Sequence, residues 1–317
     1  MAKQQPEVQE KFKTMIGGQA LIEGIMMRGP KKQSIVVRGP EGIVSKTEEL
    51  KFIKEKYPIL GWPLIRGVVN FGSSMVNGVK ALMYSASFYV DDPDAEESKF
   101  EKWFGKKFGE KALEKAVIYF SVVVGIAFSV GLFILLPNIL AGLLDGVVKS
   151  YLVRNLIEGA IRVAIFLGYL IGVSQMKDMK RVFSYHGAEH KTIRCYEAKL
   201  DLTVENVRRQ TRLHPRCGTS FLFLIVMISI LFFAVIRMDN VVLRLLLRLA
   251  LLPVIVSVSY EITRFVGRHD NWFTRILTAP GMWLQNFTTR EPDDSMIEVG
   301  IEAVKLVLPE NEGEDAW

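Results

Sequence analysis

Long apolar runs without a charged residue dominate the hydrophobic pattern of this chain. The longest covers 29 residues, from Ala116 to Leu144, and another covers 19 residues, from Gly218 to Ile236. Roughly 20 apolar residues in a helix cross the hydrocarbon core of a bilayer, so each run predicts a transmembrane helix. Leu156 to Gln175 and Val241 to Tyr260 are similar but contain two charged residues each, and we interpret them as two further spans.

The connections between these runs alternate in their content of Lys and Arg. Six basic residues lie in the 18 residues before the first span, two in residues 145–155, ten in residues 177–217 and one in residues 237–240. Basic loops stay on the cytoplasmic side, so this alternation predicts four spans with both termini in the cytoplasm, as in a multi-pass protein of the plasma membrane. Residues 1–15 have no apolar core, and we expect no signal peptide.

Outside the spans, the pattern predicts one small β-containing unit and two interfacial regions. Ser34 to Arg38 and Gly42 to Thr47 are short β-rich runs around a Gly-Pro-Glu turn, which indicates a hairpin. Leu64 to Val90 has only two charged residues and fits either a partly buried interfacial helix or a re-entrant element. Phe265 to Phe287 mixes Trp and Phe with Arg, the composition of an interfacial segment.

The predicted fold class is therefore an α-helical polytopic membrane protein of about four transmembrane helices with a small N-terminal cytosolic β-containing unit. We expect four segments along the chain. They are the cytosolic β-containing unit, 1–56; the interfacial or re-entrant helices and a basic linker, 57–115; the transmembrane bundle, 116–262, with a cytoplasmic His/Cys loop at 177–217; and an interfacial segment with an acidic tail, 263–317.

Composition narrows the classes of function. Half of the 317 residues are hydrophobic and the mean hydropathy is +0.22, which excludes a disordered chain and disfavours a purely soluble one. The formal net charge is +6. Anionic lipid accounts for basic loops beside a bilayer, so membrane lipid is the expected partner and nucleic acid is not. Two cysteines provide no disulfide framework and fit a reduced compartment.

The C-terminal residues carry the opposite charge. Residues 291–317 contain nine Asp or Glu against Lys305 alone. Met296 to Leu308 has the pattern of an amphipathic helix, and we expect this helix to lie against the basic cytoplasmic face.

Three of the four histidines fall in the predicted cytoplasmic loop. We expect the segment around His186, Glu189 and His190 to continue a helix out of the second span, which places the three side chains within roughly a third of the helix circumference. The pattern H-x-x-E-H is that of inverted zinc peptidases, in which the histidines bind zinc and the glutamate activates water. The alternative is that these histidines form hydrogen bonds with carboxylates or phosphate headgroups at a helix end.

A second pair in the same loop strengthens the interpretation as a metal site. His214 and Cys217 form an H-x-x-C pattern whose side chains can converge on one ion. With His186 and His190 they would fill a tetrahedral zinc site, which is typical of a structural site. Three protein ligands would leave a position for water and fit an enzyme with Glu189 as base. For Cys217, burial as a small apolar residue is the alternative.

The charges inside the predicted spans have two interpretations. Glu158 and Arg162 are four residues apart in the second span, and Glu158 can also face Arg248 of the fourth span. Such groups either tie helices together or form a pathway for a proton or solute. The second interpretation would make the chain a transporter.

Several motifs resemble those of the YqhQ family, bacterial membrane proteins of unknown function that are described as predicted metal-dependent enzymes. The similarity extends from about residue 15 to residue 308. It is carried by GGQALIEGIMMRGP at residues 17–30, YHGAEHK at 185–191, HPRCGTS at 214–220 and TTREPDD at 288–294.

The resemblance implies a metal role for His186, His190, His214 and Cys217 and a catalytic role for Glu189. It also draws attention to two further residues, Glu23 and Arg28, whose roles stay open. Glu23 is either a ligand or base, or a buried turn residue. The resemblance implies no substrate.

These observations predict a zinc-dependent hydrolase of the bacterial inner membrane, with its site at the cytoplasmic face and Glu189 as general base. The substrate would be a membrane lipid or a membrane-associated polypeptide. The alternative is a non-catalytic membrane scaffold or biogenesis factor in which a closed His/Cys zinc site pins the loop to the N-terminal unit.

Overall fold

The computed structural model describes residues 12–89, 110–143, 147–238, 240–311 and 313–316. Most of the predicted basic linker before the first span therefore lies outside the described residues. The chain divides into two units, each assembled from separate stretches. The first unit comprises Met1–Tyr89, Leu170–Ile228 and Pro253–Trp317, and the second comprises Val90–Tyr169 and Ser229–Leu252.

The secondary structure is mostly helical, with four strands near the N-terminus. The strands are β1 (Gly17–Leu21), β2 (Gly24–Arg28), β3 (Lys32–Gly39) and β4 (Gly42–Glu49). The helices are α1 (Ile53–Lys56), α2 (Ile65–Ala86), α3 (Glu110–Val130), α4 (Leu136–Gly142), α5 (Tyr151–Gln175), α6 (Lys177–Glu197), α7 (Val204–Arg208), α8 (Gly218–Ala234), α9 (Val241–Arg268), α10 (Trp272–Thr288) and α11 (Asp294–Lys305). A 3-10 turn covers Pro58–Gly61 and a π-helical turn covers Gly131–Leu135.

The strands form one antiparallel sheet in the order β1-β2-β3-β4. Gly39 pairs with Gly42, so β3 and β4 form the predicted hairpin. The sequence did not predict β1 and β2. In β2 four consecutive residues from Gly24 are buried, and a strand buried on both faces lacks the alternation that identifies most strands.

The sheet is buried on both faces within the first unit. Ile25, Met27 and Val36 on one face join a core cluster with side chains of α6 and α11. Leu21, Met26, Ile35 and Val37 on the other face pack with Ala81 of α2. A Cβ on Gly78 would lie 2.4 Å from Oε1 of Gln19, so a glycine in α2 permits this close packing. The sheet is therefore the central layer of the first unit.

Three helical stretches are long and apolar enough to cross a membrane: Ala116–Gly142, Tyr151–Gln175 and Val242–Arg268. They correspond to the first, second and fourth predicted spans. The third predicted span forms α8, an apolar helix of 17 residues that is shorter than these three. The mostly helical membrane-like fold with a small N-terminal sheet is thus confirmed.

A buried ion cluster connects two helices inside the second unit. Arg248 of α9 donates two hydrogen bonds to the carboxylate of Glu158, one of them at 2.8 Å. Arg162 lies one turn after Glu158 in α5 and donates to the same carboxylate at 2.8 Å. Both predicted pairings of Glu158 are confirmed, and the full burial of Arg248 makes this cluster a tie between α5 and α9.

The predicted continuation of the second span into the histidine helix is wrong. Met176 adopts extended backbone with ψ 139°, so α5 ends at Gln175 and α6 begins separately at Lys177. Arg290 donates to the carbonyl oxygen of Ser174 at 3.0 Å, which satisfies one of the carbonyls exposed where α5 ends.

The acidic tail forms the predicted helix, α11, but its apolar face is covered by protein. Ile297, Val299 and Val304 are fully buried or nearly so, and α11 packs on α6, β2 and β3. Charged residues around it pair with basic ones, as in Asp294 with Arg208.

Candidate metal centre

Helix α6 brings its two histidines to one side of the first unit. The rings of His186 and His190 lie one turn apart, with centroids separated by 4.4 Å. The Nδ1–H of His186 donates to the carbonyl of Thr288 at 2.7 Å, and that of His190 donates to the carbonyl of Arg212 at 2.6 Å. A carbonyl only accepts, so the second nitrogen, Nε2, is left as the ligand atom on each ring.

Cys217 completes a group of three ligand atoms. Its Sγ lies 3.2 Å from Nε2 of His186, and the ligand atoms of His186, His190 and Cys217 all lie within 4.8 Å of one another. Nε2 of His190 is buried and has no hydrogen-bond partner among the described residues. A buried nitrogen without a partner is costly, and a metal ion would satisfy it.

The thiol of Cys217 and the imidazoles of His186 and His190 interact electrostatically and shift the pKa values of Cys217 and His186. Burial by itself would raise the pKa of Cys217, but His186 and His190 outweigh burial and lower this pKa well below its ordinary value. Burial also disfavours a charged His186, yet the Cys217 thiolate, with smaller contributions from Glu189 and the Thr288 carbonyl, outweighs burial and raises the pKa of this imidazole to about 9. The thiolate is the form of cysteine that binds metals, so the site holds Cys217 ready as a ligand.

Glu189 lies between the two histidines in sequence and is fixed from the sheet. The backbone N–H of Gly18 in β1 donates to Oε1 at 3.0 Å, while Oε2 is buried without a partner in the described part of the chain. Burial raises the pKa of this carboxyl, and the neighbouring histidines only partly oppose that effect. One oxygen is therefore anchored and the other is free to accept a proton.

His214 lies beside this group but outside it. Its ring centroid is 5.6 Å from that of His190, and its Nε2 is 3.3 Å from a carboxylate oxygen of Glu197. Burial, followed by the charge of Arg194, lowers the pKa of His214 to about 4, so the ring is neutral. Of the four predicted ligands, the structure brings together His186, His190 and Cys217.

Glu23, to which the family motifs drew attention, and the remaining cysteine and histidine have other surroundings. Glu23 lies in the turn between β1 and β2 with φ 51°, and its carboxylate accepts hydrogen bonds from Arg181 and Tyr185. It is a turn residue and does not belong to the metal group. Cys195 is buried in an apolar cluster, and His269 stacks on Phe265 with centroids 4.3 Å apart.

Three contacts that build the site were not predicted. They are the carbonyls of Thr288 and Arg212, which orient the imidazoles, and the N–H of Gly18, which holds Glu189. Backbone groups carry no side-chain signature. The motifs at residues 17–30 and 288–294 include Gly18 and Thr288, but Arg212 lies outside every motif.

The cluster lines a cavity of about 730 Å³ in the first unit. Two imidazoles and a thiolate are a donor set that zinc accepts, and three protein ligands are the number typical of catalytic zinc sites. A free carboxylate oxygen beside them supplies a general base. The arrangement is suited to metal-assisted hydrolysis.

Two comparisons with known proteins identify relatives. Residues 62–310 match the family described as "Protein of unknown function (DUF1385)". The chain is 33% identical over 297 residues to "Uncharacterized protein YqhQ" of Bacillus subtilis (strain 168), and the alignment covers 92% of each chain. No solved structure matches significantly.

Proposed function

Since the chain belongs to the YqhQ (DUF1385) family, whose function is unknown, we propose from the site itself that it is a metal-dependent hydrolase. His186, His190 and Cys217 would hold a divalent ion, with zinc the best match to this donor set. The observation that carries the proposal is the orientation of the two histidines. Both Nδ1 atoms are bound to backbone carbonyls, and the free Nε2 of His190 is buried beside Cys217.

The chain's own groups have separate tasks. A bound divalent ion supplies a Lewis acid that polarises a substrate oxygen and acidifies water. The unpartnered Oε2 of Glu189 would accept a proton from the attacking water, because Gly18 holds the other carboxylate oxygen. The Thr288 and Arg212 carbonyls fix the ring orientations, and such supporting contacts typically contribute about tenfold to one-hundredfold in metal affinity.

The proposal also includes a position in the membrane. Three long apolar helices and the shorter α8 support four spans, and the alternation of basic residues in the connections supports both termini in the cytoplasm of a bacterial cell. In this arrangement Cys217, immediately before α8, lies at the cytoplasmic membrane surface. Reporter fusions after residues 146, 200 and 239 test this: only the fusion after residue 200 should be active in the cytoplasm. Cytoplasmic activity of all three would overturn the topology.

Glu189→Gln tests the catalytic role. The variant and the wild-type protein are reconstituted with zinc in vesicles of total membrane lipid and protein, and the products are compared by mass spectrometry. We expect both to bind zinc equally, and only the wild type to release a hydrolysis product. Glu205→Gln, at an exposed carboxylate, is the matched control. Equal product from Glu189→Gln would contradict the proposal.

A structural metal site in a membrane scaffold is the second candidate. The observation that favours it is the proximity of His214, whose ring lies next to His190. If His214 turned away from Glu197 and became a fourth ligand, no position would be left for water. In that case removing the metal would lower the melting temperature, while Glu189→Gln would leave function intact.

A further inference from the structure

The cavity at the metal group has two chemically different walls. One wall carries the polar cluster of His186, Glu189, His190 and Cys217. The other includes Phe71 of α2 and Phe221 of α8, whose rings contact each other at 5.9 Å between centroids. The volume of the cavity, about 730 Å³, is within the range of sites that enclose a small molecule.

The apolar wall begins very near the ligands. Cys217 immediately precedes α8, and Phe221 and Leu222 lie four and five residues further along this uncharged helix. At a rise of about 1.5 Å per residue, these side chains are attached roughly 6 to 8 Å from the thiolate along the helix axis. A ligand bound at the cluster therefore reaches apolar surface within a few bonds. Met75 of α2 extends the same wall.

The cavity is also lined by a cation that has no acidic partner among the described residues. Arg28 at the end of β2 lines the cavity, and its guanidinium lies over the ring of Phe52 at 5.8 Å. In the described part of the chain no carboxylate pairs with Arg28, and burial lowers the pKa of its guanidinium. A partly buried cation of this kind is stabilised by an anion that enters the cavity.

Gln33 stands beside Arg28 on the same face of the sheet. The two residues are directly paired across β2 and β3, and both line the cavity. Gln33 is buried, and its side-chain oxygen has no hydrogen-bond partner among the described residues. That oxygen can only accept a hydrogen bond, so the groups that can donate to a phosphate or carboxylate are the side-chain NH2 of Gln33 and the guanidinium of Arg28.

We propose that the site takes an anionic amphiphile, a lipid whose phosphate is bound by Arg28 and Gln33 and whose hydrocarbon chain lies along Phe71, Phe221 and Leu222. This inference rests on the proposed hydrolase and names its substrate class. Arg28 determines specificity for the phosphate and takes no part in the chemistry.

The geometry favours a lipid over a polypeptide. Extended peptides commonly bind by adding a strand to a free sheet edge. The edge strand next to the cluster is β1, and α6 packs along it. The N–H of Gly18, which points away from β2, is already donated to Glu189. A peptide strand would have to displace this contact, and with it the proposed base.

Binding of three probes to the purified full chain in detergent tests the proposal. Dioctanoyl phosphatidate carries both phosphate and chains, dioctanoylglycerol carries only chains, and glycerol 3-phosphate carries only phosphate. Native mass spectrometry gives the dissociation constants. We expect phosphatidate to bind at least about tenfold more tightly than dioctanoylglycerol, since a hydrogen bond to a charged group is worth about this factor or more. It should also bind at least about tenfold more tightly than glycerol 3-phosphate, because its chains bury apolar surface.

Variants then show which side chains bind the phosphate and which bind the hydrocarbon chains. Arg28→Gln should weaken phosphatidate binding by about tenfold to one-hundredfold and leave dioctanoylglycerol unchanged. Arg28→Lys should retain most of the affinity, and Phe221→Ala should weaken both lipids but not glycerol 3-phosphate. Arg209→Gln, at an exposed arginine paired with Glu205, is the matched control and should change nothing. Melting temperatures identify any variant that fails to fold.

The outcomes separate this inference from the proposed function. Equal binding of phosphatidate and dioctanoylglycerol, or unchanged phosphatidate binding in Arg28→Gln, would overturn the lipid phosphate site. Glycerol 3-phosphate binding as tightly as phosphatidate would replace the lipid with a soluble phosphate ester. Metal bound without lipid selectivity would refute only the inference, whereas lipid selectivity in protein that binds no metal would refute only the hydrolase.

Discussion

Replacing Gly187 with alanine should separate two backbone segments that build the site. Gly187 lies in α6 directly after His186, and a Cβ there would be 1.9 Å from the carbonyl oxygen of Arg290. Ordinary contact begins at about 3.4 Å, so the segment has to move by about 1.5 Å. That segment includes Thr288, which holds His186 through a hydrogen bond of 2.7 Å.

A shift of this size breaks the hydrogen bond and releases the imidazole ring. We expect Gly187→Ala to destabilise the fold by about 1–3 kcal/mol, as overpacking typically does. Metal affinity should fall by about tenfold to one-hundredfold, the usual effect of losing a group that orients a ligand. Melting temperature measures the first effect, and competition with a metal chelator measures the second.

Gly172→Ala is the matched control. Gly172 is also helical, but a Cβ there meets nothing within 4 Å. Alanine should leave metal affinity unchanged and stabilise α5 by about 0.5–1 kcal/mol, because glycine is the poorer helix former. Wild-type stability and metal affinity in Gly187→Ala would refute the close contact between α6 and the segment after α10.

Three further predictions concern single charged or reactive groups. Glu158→Gln should destabilise the protein by about 3–5 kcal/mol in thermal or denaturant unfolding, because it leaves buried arginines without their counter-ion; a loss under 1 kcal/mol would contradict the buried cluster. His214 has its pKa lowered to about 4 from 6.5, so the unfolded chain takes up a proton that the folded chain does not, and stability falls as pH drops from 6.5 towards 4. His214→Gln should flatten that dependence in melting experiments and leave metal content unchanged; an equally steep curve would refute this. Burial raises the pKa of Cys195 to about 11, so iodoacetamide should alkylate Cys217 first in metal-free protein and neither thiol in metal-loaded protein, whereas preferential labelling of Cys195 would contradict the assignment.

The helices and one hairpin were predictable because their patterns are local. Uncharged runs identified the long apolar helices, and the turn at Gly39 to Gly42 identified β3 and β4. Strand β2 was missed because both of its faces are buried, which removes the alternation of apolar and polar positions. The break at Met176 was missed because the hydrogen bond to the Ser174 carbonyl at the end of α5 comes from Arg290, which is distant in sequence.

At the site, too, features set by local sequence patterns could be predicted, whereas features set by contacts between distant residues could not. Helical spacing predicted that His186 and His190 would share one face, and the structure shows their rings together. The spacing of His214 and Cys217 gave no means of choosing between three ligands and four. That choice depends on Glu197, whose carboxylate lies 3.3 Å from His214. The roles of Gly18 and Arg28 depend on the sheet and could not be read from local patterns.

The shell of atoms around a bound metal tests the central claim most directly. Elemental analysis of the purified chain should find one divalent transition-metal ion per molecule. X-ray absorption should find one sulfur, two imidazole nitrogens and one light atom from solvent, with the sulfur lost in Cys217→Ser and the shell unchanged in His214→Gln. Protein that binds no metal, or a shell that loses an imidazole in His214→Gln, would contradict an open site built from His186, His190 and Cys217.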